Sequence, residues 1–297
     1  MAISQVRAQV NGTWYTLTYN SSTGAYEASI TAPTVTSYTQ ANHYYNVTVE
    51  ATNTAGTVAT ADASTIDGLK LYVKETTKPT LTITSPTSGA YVTNNKQPVI
   101  FTATDTGSGV DLSTVAVKLD GATVASSTIT RTTITNGYRF TYTPASAMSD
   151  GSHTVTVDVS DYDGNAATQQ STTFTVDTVD PALNVTTPTA GLITNTAALT
   201  VTGTTNDATS SPVTVTVKLN GTDQGTVTVS SGAFSKAVTL AEGSNTIIVT
   251  ATDSAGRTTS VTRTVTLDTS APSIVSATIT PNPVDVGQTM LISVVVQ

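Results

Sequence analysis

The residues best suited to catalysis in this sequence are its two histidines, His43 and His153. Nucleophilic catalysis needs a base within hydrogen-bond reach of the nucleophile. The two histidines lie at the start of two segments of one pattern, HYYNVTVEATNTAGT and SHTVTVDVSDYDGNA. A third copy of that pattern has Asn245 at the same place. Because asparagine replaces histidine there, we interpret both as residues at the edge of a hairpin. We therefore predict no catalytic residue and no enzyme.

Carboxylates offer a second kind of chemistry, metal binding. The run DYDGN at 161–165 is similar to the opening of a calcium loop, since alternate oxygens on a tight turn can reach one hard cation. It has no bidentate glutamate at loop position twelve, and the matching turns NTAGT and DSAGR lose the second carboxylate. A structural turn is therefore the favoured interpretation.

Acidic residues in the linkers are another calcium candidate. Asp177, Asp180 and Asp268 would stiffen the chain if they held an ion, with Asp105 and Asp111 near one linker in the sequence. This pattern is weak. We predict no metal ligands and no cofactor, with calcium as the open alternative.

Composition defines the elements that position these residues. The chain has 297 residues, is rich in threonine and valine, and has only 11% charged residues, which predicts an all-β protein. It has no cysteine, and its net charge of -8 disfavours nucleic acid as a partner. No apolar run approaches twenty residues and the N-terminus has no leader pattern, so we expect neither membrane insertion nor a signal peptide.

Three repeated units organise the chain. The strand-turn pattern occurs as VRAQVNG at 6–12, VAVKLDG at 115–121 and VTVKLNG at 215–221. Short polar linkers precede Pro79, Pro181 and Pro272, which are 102 and 91 residues apart. Repeats of this size suit sandwiches of about seven strands. The alternating residues Val213, Val215, Val217 and Leu219 predict an inward face.

With DTGSGV at 105–110, the VKLDG hairpin and the turn DYDGN, the chain resembles bacterial Ig-like repeats over nearly its whole length. The resemblance implies tandem immunoglobulin-like β-sandwiches in a linear rod. We predict module one at 1–76, module two at 77–178, module three at 179–269 and a terminal segment at 270–297. Such modules occur in bacterial surface adhesins and in phage tail or fibre proteins, and a chain without a signal peptide is more similar to the phage group.

The two ends of the chain complement each other. Module one begins at the VRAQVNG strand and lacks the two strands that precede VKLDG in module two, whereas the terminal segment aligns with that missing pair. Unpaired strand edges and apolar faces are costly to expose. We therefore expect head-to-tail strand donation between copies of the chain. A fragment of a longer repeat protein, or strands supplied by another virion or surface protein, are the alternatives.

The predicted donor residues lie in the terminal segment: Ile274, Ile279, Leu291, Ile292, Val294 and Val296. The predicted acceptor residues lie in module one: Val6, Ala8, Val10, Val47 and Val49.

Module one also holds Trp14, the one tryptophan of the sequence, and seven of the eleven tyrosines. In TWYTLTY, period-two alternation places Tyr15, Leu17 and Tyr19 on the core face and Trp14 on the other. Trp14 is either a solvent-facing contact for a protein or sugar or, as we favour, covered by a loop or a donated strand.

Two functions follow from these patterns. The first is a structural assembly protein of a phage tail, fibre or related extracellular filament. The second is a spacer or ligand-binding part of a bacterial surface adhesin, whose partner would be a cell-surface glycan or receptor. Either implies a virion or an extracellular surface structure.

Overall fold

The computed structural model describes residues 2–297. These residues divide into two compact units, with the boundary between Val176 and Asp177. Within the described residues the regular structure is β-strand, apart from four 3-10 turns at Ser37–Thr39, Ala41–His43, Asp67–Leu69 and Ser126–Thr128. No helix in this part of the chain is long and apolar enough to cross a membrane. The all-β class expected from composition is confirmed, as is the tandem immunoglobulin-like fold that the resemblance implies.

Module one is built around one five-stranded sheet. Its strands are β1 (Ile3–Val10), β2 (Thr13–Asn20), β3 (Ala25–Glu27), β4 (Tyr45–Asn46), β5 (Thr48–Asn53), β6 (Val58–Ala61) and β7 (Lys70–Leu71). The sheet has the order β3-β2-β1-β5-β6, and β4 and β7 form a separate pair. Asn11 and Gly12 both have positive φ, as the two-residue turn between β1 and β2 requires.

Module two is a complete sandwich. Its strands are β8 (Thr80–Ser85), β9 (Tyr91–Val92), β10 (Val99–Thr104), β11 (Val110–Leu119), β12 (Ala122–Thr123), β13 (Ile129–Ile134), β14 (Gly137–Tyr142), β15 (Gly151–Asp161) and β16 (Gln170–Val176). One sheet has the order β13-β14-β10-β8 and the other β12-β11-β15-β16-β9. Phe101 and Phe140 stack in the core with ring centroids 4.8 Å apart.

Module three repeats this plan. Its strands are β17 (Ala182–Thr187), β18 (Leu192–Thr194), β19 (Ala198–Asn206), β20 (Thr214–Leu219), β21 (Thr222–Asp223), β22 (Thr228–Ser230), β23 (Ala233–Thr239), β24 (Gly243–Thr252) and β25 (Thr258–Leu267). The sheets have the orders β17-β19-β23-β22 and β18-β25-β24-β20-β21. The predicted inward face is confirmed, since Val213, Val215, Val217 and Leu219 are all buried.

The terminal segment forms a two-stranded hairpin. Strands β26 (Ile274–Thr280) and β27 (Leu291–Val296) pair antiparallel, with Ile279 opposite Ile292. Every residue of both strands is exposed. An isolated two-stranded hairpin is marginal in water unless its apolar face is covered.

Candidate functional site

The predicted acceptor residues lie mainly on one face of the module-one sheet. Ala8 of β1 is directly opposite Val49 of β5, and Val6 and Val10 are on the same side because side chains alternate along a strand. Val6 and Val10 are buried, whereas Ala8 and Val49 are half-buried. Val47 precedes β5 and its amide donates to the Leu69 carbonyl. The structure thus groups these residues, and their role as an acceptor stays a prediction.

The predicted donor residues all lie in β26 and β27. Their exposed fractions run from 44% for Ile279 to 70% for Ile274. Ile274 is opposite Val296 in the hairpin register. Because side chains alternate along a strand, Ile279, Ile292 and Val294 share one face of the hairpin, whereas Leu291 lies on the other face. Strand donation stays a prediction.

The aromatic residues of β2 depart from expectation at one position. Tyr15 and Leu17 are half-buried on the acceptor face, opposite Ala8 and Val6, but Tyr19 is 56% exposed and packs only partly against Tyr26. The prediction that Tyr19 fills the core is therefore wrong. The second sheet that covers this region in modules two and three has no counterpart beside Tyr19 among the described residues.

Trp14 lies on the opposite face of the same sheet and is 36% exposed. The Arg7 guanidinium carbon is 4.2 Å from the centroid of its ring, and the same guanidinium donates to the Glu50 carboxylate at 2.6 Å. A cation over an indole face is an attractive arrangement. Trp14 is thus covered in part by the Arg7 side chain from the neighbouring strand of its own sheet.

His153 has a structural position that module three reproduces with asparagine. Its Nδ1 is 2.7 Å from an Asp120 carboxylate oxygen and its Nε2 is 2.8 Å from the Ser149 carbonyl oxygen. In module three, the Asn245 side-chain oxygen accepts a hydrogen bond from the Asn220 side-chain amide at 3.0 Å. Asp120 and Asn220 also accept from the backbone amides one residue after His153 and Asn245. Each pair fastens a positive-φ turn to a central strand.

Two details of the histidine prediction are wrong. His153 is buried on the central strand β15, and so is not at an edge. The residue of module one at the matching position is Tyr45, because Asn53, Asp161 and Asp253 begin the equivalent turns. His43 is instead exposed in a 3-10 turn, where its ring stacks on Tyr38.

The surroundings of His153 shift two pKa values. Burial opposes protonation of the imidazole, but hydrogen bonds to the Ser149 carbonyl and the Asp120 carboxylate together raise the pKa of His153. Burial also disfavours the Asp120 charge, yet the bonds from His153 and the Thr154 amide lower the pKa of Asp120 overall. The two side chains form a hydrogen-bonded ion pair when His153 is protonated.

Among the described residues, carboxylates converge at two places. One oxygen from each of Glu75, Asp105 and Asp161 lies within 4.8 Å of the other two. We call this set the first triad. Asp177, Asp207 and Asp253 meet the same limit, and we call them the second triad. Oxygen ligands at such separations suit a hard cation.

Of the acidic residues that the sequence offered as calcium ligands, some lie in the triads and others have different partners. Asp177 is fully buried in the second triad, whereas Asp180 pairs with Arg257 at 2.8 Å and Asp268 accepts from the Ser270 amide. Asp105 is in the first triad, and Asp111 accepts from Ser113 instead.

Sequence reasoning missed three of the triad residues, Glu75, Asp207 and Asp253. The signal was present in the repeat spacing. Glu75 and Asp177 each stand four residues before a linker proline, and Asp105 and Asp207 each follow a strand of matching position.

Comparisons with known proteins give two family matches. Residues 75–178 match the bacterial Ig-like domain, and residues 181–269 match domain B of glucodextranase. Residues 75–178 are thus similar to bacterial Ig-like domains, in agreement with the resemblance seen in the sequence. No curated protein matches this sequence.

Among solved structures, this repeat protein is similar to the fibronectin(III)-like modules of Clostridium thermocellum CbhA. The identity is 18%, over 64% of this chain and 94% of that one, with a TM-score of 0.41. A 1.5-MDa bacterial ice-binding adhesin is 22% identical over 90% of this chain and 88% of that one, with a TM-score of 0.31. Extracellular domains 3–5 of Drosophila OTK are 14% identical over 89% and 85%, with a TM-score of 0.28.

Proposed function

We propose that this chain is a non-enzymatic structural protein of a virion or other extracellular filament. In this proposal, β26 and β27 of one copy complete the sandwich of module one in the next copy. The observation that carries it is a difference in burial at matching positions. Ile292 and Val294 are 56% and 50% exposed, whereas Phe101 and Ala103 of module two are fully buried.

The hairpin matches the first strands of module two in its pairing. In module two, Ile83 of β8 is opposite Phe101 of β10. In the terminal hairpin, Ile279 of β26 is opposite Ile292 of β27. Both pairs are antiparallel and both follow a linker proline. The hairpin therefore has the geometry of a sandwich edge that would bury its inner residues against a second sheet.

Module one offers a strand with a free side for this pairing. In module two, β14 pairs with β13 on one side and with β10 on the other. The matching strand of module one, β3, pairs only with β2 among the strands that the structure describes. Addition of β27 along the free side of β3 would restore the order seen in module two and would cover Tyr19. This is strand addition to an open sheet edge.

Repeated head-to-tail addition would build a filament. A contact between two different surfaces of the same chain does not close on itself unless its rotation permits. It would also protect strand edges that are otherwise prone to aggregate.

Paired variants on the two faces of β27 test the proposal. Ile292→Asp with Val294→Asp forces charge into the shared core and should abolish self-association. Ser293→Asp with Val295→Asp adds the same charge on the opposite face and should leave it intact. All four residues are exposed in the single chain, so neither pair should disturb the fold of the other modules.

Light scattering over a concentration series, with negative-stain imaging of the same fractions, gives the readout. Linear polymers for the unmodified chain and the control pair, with monomers for the inner-face pair, support strand donation. Equal mass for all three proteins contradicts it.

The second candidate is a spacer of a bacterial surface adhesin that presents a site for a cell-surface glycan or receptor. The match of residues 75–178 to the bacterial Ig-like domain favours it. A chain that stays monomeric at every concentration would make this the better explanation.

A further inference from the structure

The first triad has two buried members and one half-buried member, and none of its hydrogen bonds comes from a positively charged group. Asp105 and Asp161 are buried, and Glu75 is half-buried in the linker before module two. The Asp105 Oδ1 atom accepts from the amides of Gly107 and Gly109, but its buried Oδ2 has no hydrogen-bond partner. A buried carboxylate oxygen without a partner is costly.

The second triad repeats this arrangement in module three. Asp177, Asp207 and Asp253 are all buried. The Asp253 Oδ1 atom accepts from the Arg257 amide, and its buried Oδ2 has no hydrogen-bond partner. Each triad thus combines a linker acid, an aspartate after the third strand of the module and an aspartate at the start of a hairpin turn.

A serine accompanies each triad at the same repeat position. The Ser108 amide donates to Glu75 at 2.5 Å, and the Ser210 hydroxyl donates to the Asp177 carboxylate. Ser210 is fully buried. The same polar set is therefore assembled twice from residues that are far apart in the chain, which a chance cluster of surface acids would not do.

We propose that each triad binds one calcium ion. Three like charges within 4.8 Å repel one another unless a cation lies between them. Calcium accepts six to eight oxygen ligands at about 2.3–2.6 Å, so oxygens on one ion are separated by no more than about 5 Å. Zinc prefers nitrogen and sulfur ligands, and magnesium usually keeps several waters, which suits a buried all-carboxylate site poorly.

The first ion would also fix the junction between modules one and two. The Glu75 amide donates to Asp163 at 3.0 Å, and the Thr36 hydroxyl of module one donates to the same carboxylate. Beside these bonds, Tyr38 of module one stacks on Tyr162 with ring centroids 4.2 Å apart. Binding at Glu75 and Asp161 would hold both sides of this contact in place. This inference does not depend on strand donation.

Calcium titration of the full-length chain, freed of divalent ions, tests the proposal by calorimetry and thermal unfolding. We expect two ions per chain with dissociation constants of about 10⁻⁵–10⁻³ M, and a melting temperature that rises with calcium concentration. Asp105→Asn and Asp207→Asn should each remove one ion, and the double variant both. The control is Asp67→Asn, whose side chain is 89% exposed and which should leave both sites.

Terbium luminescence assigns the two sites separately. Tyr162 adjoins Asp161, whereas residues 177–297 contain no tyrosine or tryptophan, so tyrosine-sensitised emission should come from the first triad. Emission should be lost in Asp105→Asn and retained in Asp207→Asn. Absence of calcium binding, equal binding of magnesium, or emission that persists in Asp105→Asn would overturn the proposal.

Discussion

At the scale of single residues, polar side chains in this protein fasten turns to strands. Asp120 and Asn220 both occupy positive-φ positions and both bind the side chain at the start of a central strand. The partner is a histidine in module two and an asparagine in module three. The same geometry therefore accommodates either pair of side chains. Only the aspartate and histidine of module two can gain or lose a proton.

That difference predicts that this turn-to-strand contact depends on pH in module two and does not depend on pH in module three. The raised pKa of His153 means that its stabilising contribution is complete below its unfolded value of about 6.5 and is lost as pH rises through the folded value. The lowered pKa of Asp120 means that its contribution is lost as pH falls through its folded value. Asp120→Asn with His153→Asn copies the pair of module three and should flatten this profile.

Urea unfolding over a pH series measures the effect. The difference in unfolding free energy between the unmodified chain and the double variant should be largest between about pH 4 and 6.5. His153→Ala should cost about 1–3 kcal/mol because it removes the hydrogen bonds of a buried imidazole to Asp120 and to the Ser149 carbonyl. Parallel pH profiles for the unmodified chain and the double variant would contradict this account.

At the scale of elements, the strands follow from the alternation of apolar and polar residues, but their register does not. The segments that begin at His43 and His153 keep the same alternation when one is shifted by two residues, because the side-chain period of a strand is two. Pattern alone therefore placed His43 where the structure has Tyr45. The triads were harder still, since Glu75, Asp105 and Asp161 come from separate segments and only the repeat spacing relates them.

A glycine inside β19 shows how closely strands and side chains fit in module three. A Cβ atom at Gly203 would lie 2.3 Å from the Asn184 carbonyl oxygen and 2.5 Å from Phe234 Cζ. Gly203→Ala should therefore cost about 1–3 kcal/mol through overpacking. Gly68→Ala is the matched control, since no atom lies within 4 Å of its added Cβ. Equal melting temperatures for the two variants would contradict the proposed fit.

At the scale of the whole molecule, modules two and three each bury a core of their own. One core contains Phe101 and the other contains Ile247, and both side chains are fully buried. A chain with separate cores need not unfold in a single step. The unfolding free energy of a repeat protein is approximately the sum of the stability of each module and the interaction energy between neighbouring modules.

Reciprocal core variants test whether the two cores are energetically separate. Ile247→Ala should cost about 2–5 kcal/mol and Phe101→Ala about 3–5 kcal/mol, because each leaves a cavity in a packed core. Calorimetric unfolding should show that each variant lowers a different transition and leaves the other within about 0.5 kcal/mol. If both variants lowered one common transition by similar amounts, the two modules would unfold as a single cooperative unit. The interaction energy between modules would then outweigh their separate stabilities.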